Sequence, residues 1–228
     1  MEIASKLWLP FIGLFISLAA SGLFGVPVLA AEDSPDQMIR STTKEVLAIV
    51  QKDRDIQAGD KQKIIELVEA RVLPNFNFNR MTALAVGRGW RDATPQQREN
   101  LVKQFRTLLV RTYSDALNVS SALEAARGDP LEVKPLTLKP GATQAVVQSV
   151  FTTPDGVPIP IDYRVEKGGD GWKVYDVIVE GISLVTNYRS TFSDEINRSG
   201  VDGLIKLLAD KNGKLKADPQ RSSQRPQG

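Results

Sequence analysis

Residues 171–192 read GWKVYDVIVEGISLVTNYRSTF. The stretch opens with the period of a strand and closes with that of a helix, and Glu180-Gly181 is the joint. Before the joint, Trp172, Val174 and Ile178 alternate onto one face, interrupted by Asp176, while Tyr175, Val177 and Val179 alternate onto the other. A half-solvated strand carries one apolar face; two apolar faces mark a strand covered on both sides. After the joint, Leu184, Val185, Tyr188, Phe192 and Ile196 recur at helical spacing, with Ser183 in the place of an N-cap. A doubly covered strand that feeds straight into an amphipathic helix predicts strands beside it and helices over it.

The segments before this stretch supply the strands. Lys139-Pro140-Gly141, Pro154-Asp155-Gly156 and Gly168-Gly169-Asp170-Gly171 read as turns, proline fixing one φ and glycine admitting a positive one. They separate strands over residues 131–138, 145–152 and 161–166, the last with Ile161, Tyr163 and Val165 facing one way and Asp162, Arg164 and Glu166 the other. Pro135 assigns the first strand to an edge or a bulge. Four sequential strands with short turns predict an antiparallel meander.

Helices surround that meander. Ser34-Pro35-Asp36-Gln37 has the form of a capping box, followed by a stripe of Ile39, Thr43, Val46, Leu47 and Val50. Gly59 ends this segment, Asp60 can cap the next, and Ile64, Leu67, Val68 and Val72 line its face until Pro74 stops it. Gly87 and Gly89 flank Arg88 at a spacing that fits neither a P-loop nor a dinucleotide fingerprint, so they read as a helix end and a tight turn. Thr94-Pro95-Gln96-Gln97 is a second capping box and opens a helix to about Asn118, with Leu101, Val102, Phe105, Leu108, Leu109, Tyr113 and Ala116 as its apolar stripe. Lys103, Arg106 and Arg111 lie off the stripe and read as a solvated face. Downstream, Gly200 is a stop, Asp202 caps a last helix bearing Leu204, Ile205, Leu207 and Leu208, and Asn212-Gly213 ends it. Residues 214–228 are polar and aperiodic, as in a disordered tail.

The first thirty residues stand apart. Lys6 precedes an apolar run from Leu7 to Leu29, closed by Val28-Leu29-Ala30, which reads as an export signal cleaved after Ala30. The run is long enough for an uncleaved anchor, but Pro10, Gly13, Gly22, Gly25 and Pro27 weaken a permanent helix. Residues 31–213 then form a single domain.

Composition removes several chemistries. The 228 residues contain neither cysteine nor histidine, which excludes disulfides, thiol catalysis, histidine-based triads and the commonest zinc ligands. A net charge of +2 is too small for a nucleic-acid binder. Asp176 and Glu180 share a strand side but stand about 13 Å apart, too far for a shared proton. Asp176 among apolar neighbours reads as a buried carboxylate partnered by an arginine or by backbone amides; the alternative is an acid/base role of Asp176 or Tyr163 in an isomerase-type enzyme. Gly181-Ile182-Ser183 lacks the glycine of a nucleophile elbow. Five apolar helical stripes against one small sheet leave two readings open, a solid core or a cavity, which periodicity does not separate.

The chain resembles the MlaC family, the toluene-tolerance auxiliary proteins. The resemblance rests on Val72-Leu73-Pro74 with Phe76 and Met81; on Gly89-Trp90 before Thr94-Pro95-Gln96-Gln97; and on Phe105, Leu108-Leu109 and Thr112-Tyr113. It continues through residues 172–177, 180–185 and Asn187-Tyr188-Arg189, then Phe192, Gly200 and Leu204-Ile205. The glycines at Gly87 and Gly89 depart from the family's leucine-glycine pattern. The resemblance implies a mixed α+β fold, with a twisted four-stranded antiparallel sheet wrapped by six or seven helices around an apolar lipid cavity. It implies a monomeric, non-enzymatic periplasmic phospholipid carrier without a cofactor. Such a carrier exchanges lipid with an inner-membrane transporter bearing an MCE-domain subunit and with an outer-membrane lipoprotein-porin complex, and so maintains outer-membrane lipid asymmetry. A carrier for a sterol-like lipid or a quinone is the neighbouring alternative. On this reading the lipid-lining residues are Leu109 and Tyr113 on the long helix, Val147, Ile161, Tyr163 and Val174 on the sheet, and Leu184 and Tyr188 on the last long helix. Arg106 and Arg111 are candidates for a charged rim that meets partners.

Overall fold

The computed structural model describes the backbone of residues 34–116 and 130–217. The export signal, its cut after Ala30 and the last residues of the tail lie outside the described residues. Six helices come first: α1 (Pro35–Lys52), α2 (Arg54–Gln57), α3 (Lys61–Leu67), α4 (Phe78–Val86), α5 (Gly89–Asp92) and α6 (Pro95–Ala116). A π turn (Val68–Val72) and a 3-10 turn (Leu73–Asn75) join α3 to α4, and the 3-10 turn takes Pro74 into its first turn, where a missing N–H costs nothing. Five strands follow: β1 (Leu131–Val133), β2 (Gln144–Thr152), β3 (Pro158–Gly168), β4 (Gly171–Val179) and β5 (Ile182–Ser183). Helix α7 (Leu184–Ala217) closes the described chain.

The strands pair antiparallel in sequence order, β1 to β5. The meander therefore has five strands rather than four. The fifth arises at the joint itself: Glu180 and Gly181 adopt φ of 51° and 81°, and Val179 pairs with Ile182 across them. Two successive positive φ values make the tight turn whose twist suits a hairpin. Ser183 then accepts from the Thr186 N–H at 3.0 Å and caps α7. A single pair of residues thus ends the hairpin and starts the helix.

Register corrects the faces expected for β4. Arg164 pairs with Asp176 but Val165 pairs with Val174, so Tyr175 is the extra residue of a bulge. Val174 opposite Val165 and Val177 opposite Tyr163 consequently share one face, although they are three residues apart. Asp176 and Arg164 stand on the other. The far edge of β4 is covered in part by Phe76, which bridges Val174, and by the Asn77 N–H bonded to the Val174 carbonyl at 2.8 Å.

Two other expectations change. The box at Thr94 forms, with Thr94 N–H to Gln97 Oε1 at 2.9 Å and Gln97 N–H to Thr94 Oγ1 at 3.2 Å. The box at Ser34 does not: its hydroxyl donates to Asp36 Oδ1 at 2.6 Å instead of accepting from the helix. Gly200 breaks α7 with a φ of 70°, but Asn212-Gly213 does not end it. Asn212 is buried and donates to the Gln104 carbonyl and Oε1, so α6 holds the helix through Ala217, past the expected start of the tail.

The apolar side chains form separate clusters rather than one mass. Met81, Leu101, Phe105, Leu109, Phe192 and Leu204 are buried where α4, α6 and α7 meet. Ile39, Val133, Val147, Val165, Trp172 and Val174 are buried where α1 lies on the sheet. A third group, Val50, Ile56, Ile64 and Leu67, ties α1 to α2 and α3. Gly89 is where α5 meets α7: a Cβ there would stand 2.8 Å from Ile196 Cδ1.

Candidate functional site

A cavity of about 430 Å³ lies at the seam between the clusters. Met81 and Leu109 come to it from the helical cluster, Ile39 and Val174 from the sheet cluster, and Phe76 packs against both. Helix α1 supplies a full side of the wall through Ile39, Thr42, Thr43, Val46 and Leu47. The π turn adds Val68 and Val72, and the sheet adds Tyr163, Val174 and Val177. The bulge at Tyr175 is what aims Val174 and Val177 together into this space. A π turn projects side chains where a regular helix would not, and such turns gather at functional sites.

Five of the eight residues expected to line a pocket do so: Leu109, Tyr113, Tyr163, Val174 and Leu184. Three do not. Val147 is fully buried within the sheet cluster, Ile161 lies further along β3 opposite Val179, and Tyr188 stands behind the wall. Tyr188 packs edge-on to Phe105 at 5.2 Å between ring centroids and bonds to the Tyr113 hydroxyl. The α1 and π-turn residues were not anticipated. Their signal was present as the stripe of Ile39, Thr43, Val46 and Leu47, whose threonine hinted at a face less tightly sealed than a core.

The wall is almost wholly apolar. Asn75 Nδ2 donates to Thr42 Oγ1 at 3.0 Å, linking the 3-10 turn to α1. Burial pushes the Tyr163 phenol up to about 12, against the opposing effect of a bond to Ser149. Burial likewise pushes Tyr188 up to about 12 and raises Tyr113. Each phenol therefore stays neutral through the physiological range.

Asp176 does not line the cavity. It is 1% exposed, and its oxygens accept from Ser183 Oγ at 2.7 Å, the Val185 N–H at 3.2 Å and Arg164 Nη1 at 3.2 Å. An arginine and a backbone amide are the partners its burial required. The carboxylate fixes the first turn of α7 against β4. Among the described residues, no group of three or more acidic side chains is placed to hold a metal ion, and no helix is long and apolar enough to cross a membrane.

A second hollow, of about 950 Å³, runs along α6 and is bounded by α3. Arg98, Lys103, Arg106 and Arg111 line it, so the three cations expected on a solvated face, Lys103, Arg106 and Arg111, stand together in a groove.

Comparison with known proteins places this geometry. The family model described as MlaC protein matches residues 40–210. The chain belongs to the MlaC family. Among MlaC relatives, the toluene tolerance protein ttg2D of Pseudomonas putida is 26% identical over 195 residues, covering 83% of this chain and 84% of that protein. The intermembrane phospholipid transport system binding protein MlaC of Haemophilus influenzae is 23% identical over 181 residues, covering 77% of this chain and 80% of its own length. A solved structure of a phospholipid-binding protein from Ralstonia solanacearum, in complex with a phospholipid, superposes with a TM-score of 0.71 at 36% identity, covering 81% of this chain and 99% of that one. The MlaC resemblance and the mixed α+β fold both stand.

Proposed function

We propose that this protein is a soluble periplasmic phospholipid carrier of an Mla-type transport system. On this reading residues 1–30 are an export signal removed after Ala30, and residues 31–213 are one lipid-binding domain. The observation that carries the proposal is the apolar cavity at the seam of two cores, in a chain of the MlaC family. The phospholipid in the Ralstonia solanacearum relative supports the class of ligand.

The physical need for a carrier is large. Each methylene exposed to water costs about 0.8 kcal/mol, so a lipid with two sixteen-carbon chains faces about 25 kcal/mol on entering water alone. A bilayer is as apolar as the cavity, so burial itself gives little net drive between them. Direction comes from partners, and hand-over takes place within a contact between carrier and acceptor. The partners on this reading are an inner-membrane transporter with a lipid-binding MCE-domain subunit and an outer-membrane lipoprotein-porin complex.

Volume limits what the cavity holds as it stands. A methylene occupies about the 30 Å³ that a water takes in the liquid. About 430 Å³ therefore suits about fourteen methylenes, close to one acyl chain. Two chains require the wall to move. Helix α1 meets its neighbours through the Asn75–Thr42 bond, an exposed Arg71–Glu45 ion pair at 2.8 Å and a bond from Arg40 to the Val133 carbonyl.

Lipid transfer from loaded protein to liposomes tests the mechanism. Hand-over within a contact accelerates with acceptor density and requires an acceptor protein. Equal rates to bare liposomes at every density would mean release into water and would end the shuttle reading.

A further inference from the structure

The groove along α6 is a trough between two helical faces. On α6 its lining positions recur every three or four residues from Pro95 to Arg111, one continuous face of the helix. Across from them, Gln62, Ile65 and Glu69 stand at the same period on α3 and the π turn. The α6 face is about 24 Å long, so a volume of about 950 Å³ gives a mean section of about 40 Å². That is about half the section of a helix 10 Å wide. The floor is apolar: Val110 is buried, and Ile65, Trp90 and Val102 are half-buried.

The charge is one-sided. Arg98, Lys103, Arg106 and Arg111 stand against Glu69 and Glu99, four positive groups and two negative. Arg98 donates to the Trp90 and Arg91 carbonyls at 2.9 and 3.1 Å, and Arg111 donates to the Asn212 carbonyl. Those acceptors carry no net charge, so both guanidinium charges persist. Arg106 meets Glu69 at 3.8 Å across the trough, with both side chains about half exposed, so this pair is loose and solvent-screened.

Shape and charge together choose an occupant. An apolar floor between cations fits an apolar stripe flanked by carboxylates. An extended segment would need backbone partners, and the walls are helices whose N–H and C=O groups are bonded internally. A helix satisfies its own backbone and lays one face down. A bilayer is flat, so it would meet Lys103 and Arg106 without filling the floor between the helices. The chain's own residues 218–228 carry Arg221 and Arg225 against Asp218, with Pro219 and Pro226, which is the wrong sign and a poor helix.

We propose that the trough is a docking site for an acidic amphipathic helix of a partner protein, about sixteen residues long. The helix lies along α6 with its apolar side chains over Val102 and Val110 and its carboxylates beside Lys103 and Arg106, where they displace Glu69. As the place where carrier meets acceptor, the site rests on the carrier reading above; the binding itself does not.

The test titrates mature protein with two synthetic helices of that length that share one leucine stripe, the first flanked by glutamates and the second by lysines. Phosphatidylglycerol vesicles are the third probe. The glutamate helix binds at least about tenfold tighter than the lysine helix at low salt, and the difference shrinks as salt rises. Lys103→Glu weakens the glutamate helix by about three- to tenfold, and Glu99→Lys strengthens it by a similar factor. The opposite signs separate charge from damage to the fold. A photoreactive group on Thr107→Cys crosslinks to the helix, and one on Asp155→Cys, in the exposed turn between β2 and β3, does not. Equal affinity for the two helices, binding of neither, binding of the vesicles instead, or crosslinking from Asp155→Cys alone overturns the proposal. Self-association that Lys103→Glu abolishes gives the trough to a second copy of the chain and overturns it as well. Lipid per chain judges the carrier reading separately: Lys103→Glu and Glu99→Lys keep the wild-type amount. A protein that never holds lipid ends the carrier reading and leaves helix binding standing.

Discussion

Replacing Val177 by tryptophan separates a cavity from a core. Val177 lines the hollow, opposite Tyr163 in the sheet. An apolar void costs about 24 cal/mol per Å³. A dry cavity of about 430 Å³ would then cost about 10 kcal/mol, the scale of a whole domain's stability. Solvent or ligand in the cavity lowers that figure, so it is an upper bound. An indole in place of an isopropyl group fills about three methylene volumes and returns up to about 2 kcal/mol. Val147 is the control. It also pairs with Tyr163, but it is fully buried and lines nothing. Val147→Trp should overpack the sheet cluster and cost about 1–3 kcal/mol. Urea unfolding of the delipidated proteins reads the stabilities, and mass spectrometry reads lipid per folded chain. Val177→Trp is expected to gain stability while losing lipid, and Val147→Trp to lose stability while its folded fraction keeps lipid. Equal destabilisation by both would refute the cavity assignment at Val177.

Asp176→Ala should cost about 3 kcal/mol in urea unfolding, at the lower end for a buried pair because Arg164 is half exposed; a change below 1 kcal/mol would mean that the carboxylate does not hold α7. The Tyr163 phenol is neutral in the fold up to about 12 but ionises near 10 when unfolded, so its contribution is complete below pH 10 and is lost as the pH rises toward 12. Tyr163→Phe should therefore flatten the fall of stability between pH 10 and 12, by on the order of 2 kcal/mol; parallel curves for the two proteins would contradict this. The chain contains no cysteine, so Thr42→Cys with Asn75→Cys, bridged by a short thiol-reactive linker, can pin α1 to the 3-10 turn. The bridged protein should keep a single-chain lipid and exclude a diacyl one until the linker is cleaved, and unchanged diacyl loading would show that α1 need not move.

The sequence made the organising joint legible because each part has its own local signal. Paired positive φ at Glu180-Gly181, the cap at Ser183 and the box at Thr94 all depend on residues within a turn of one another. The order of the meander followed from short proline and glycine turns. What was missed depends on partners distant in sequence. Strand β5 has two residues, too few to show a period. The bulge at Tyr175 is a property of register against β3, and it regroups Val177 with Val174 against simple alternation. Asn212-Gly213 carries a local stop signal that α6 overrides through Gln104. Val147 and Tyr163 face the same way on paired strands, yet only Tyr163 meets the cavity, because what lies above each one differs. Periodicity finds the apolar face and leaves open whether that face is packed or lines a space.

The central claim is that the seam between the clusters holds lipid tails. Native mass spectrometry of gently purified mature protein tests it most directly, with the bound species identified after extraction. The account predicts near one diacyl phospholipid per chain, and its loss from Val177→Trp. Only empty protein, under conditions in which another phospholipid carrier keeps its ligand, would contradict it.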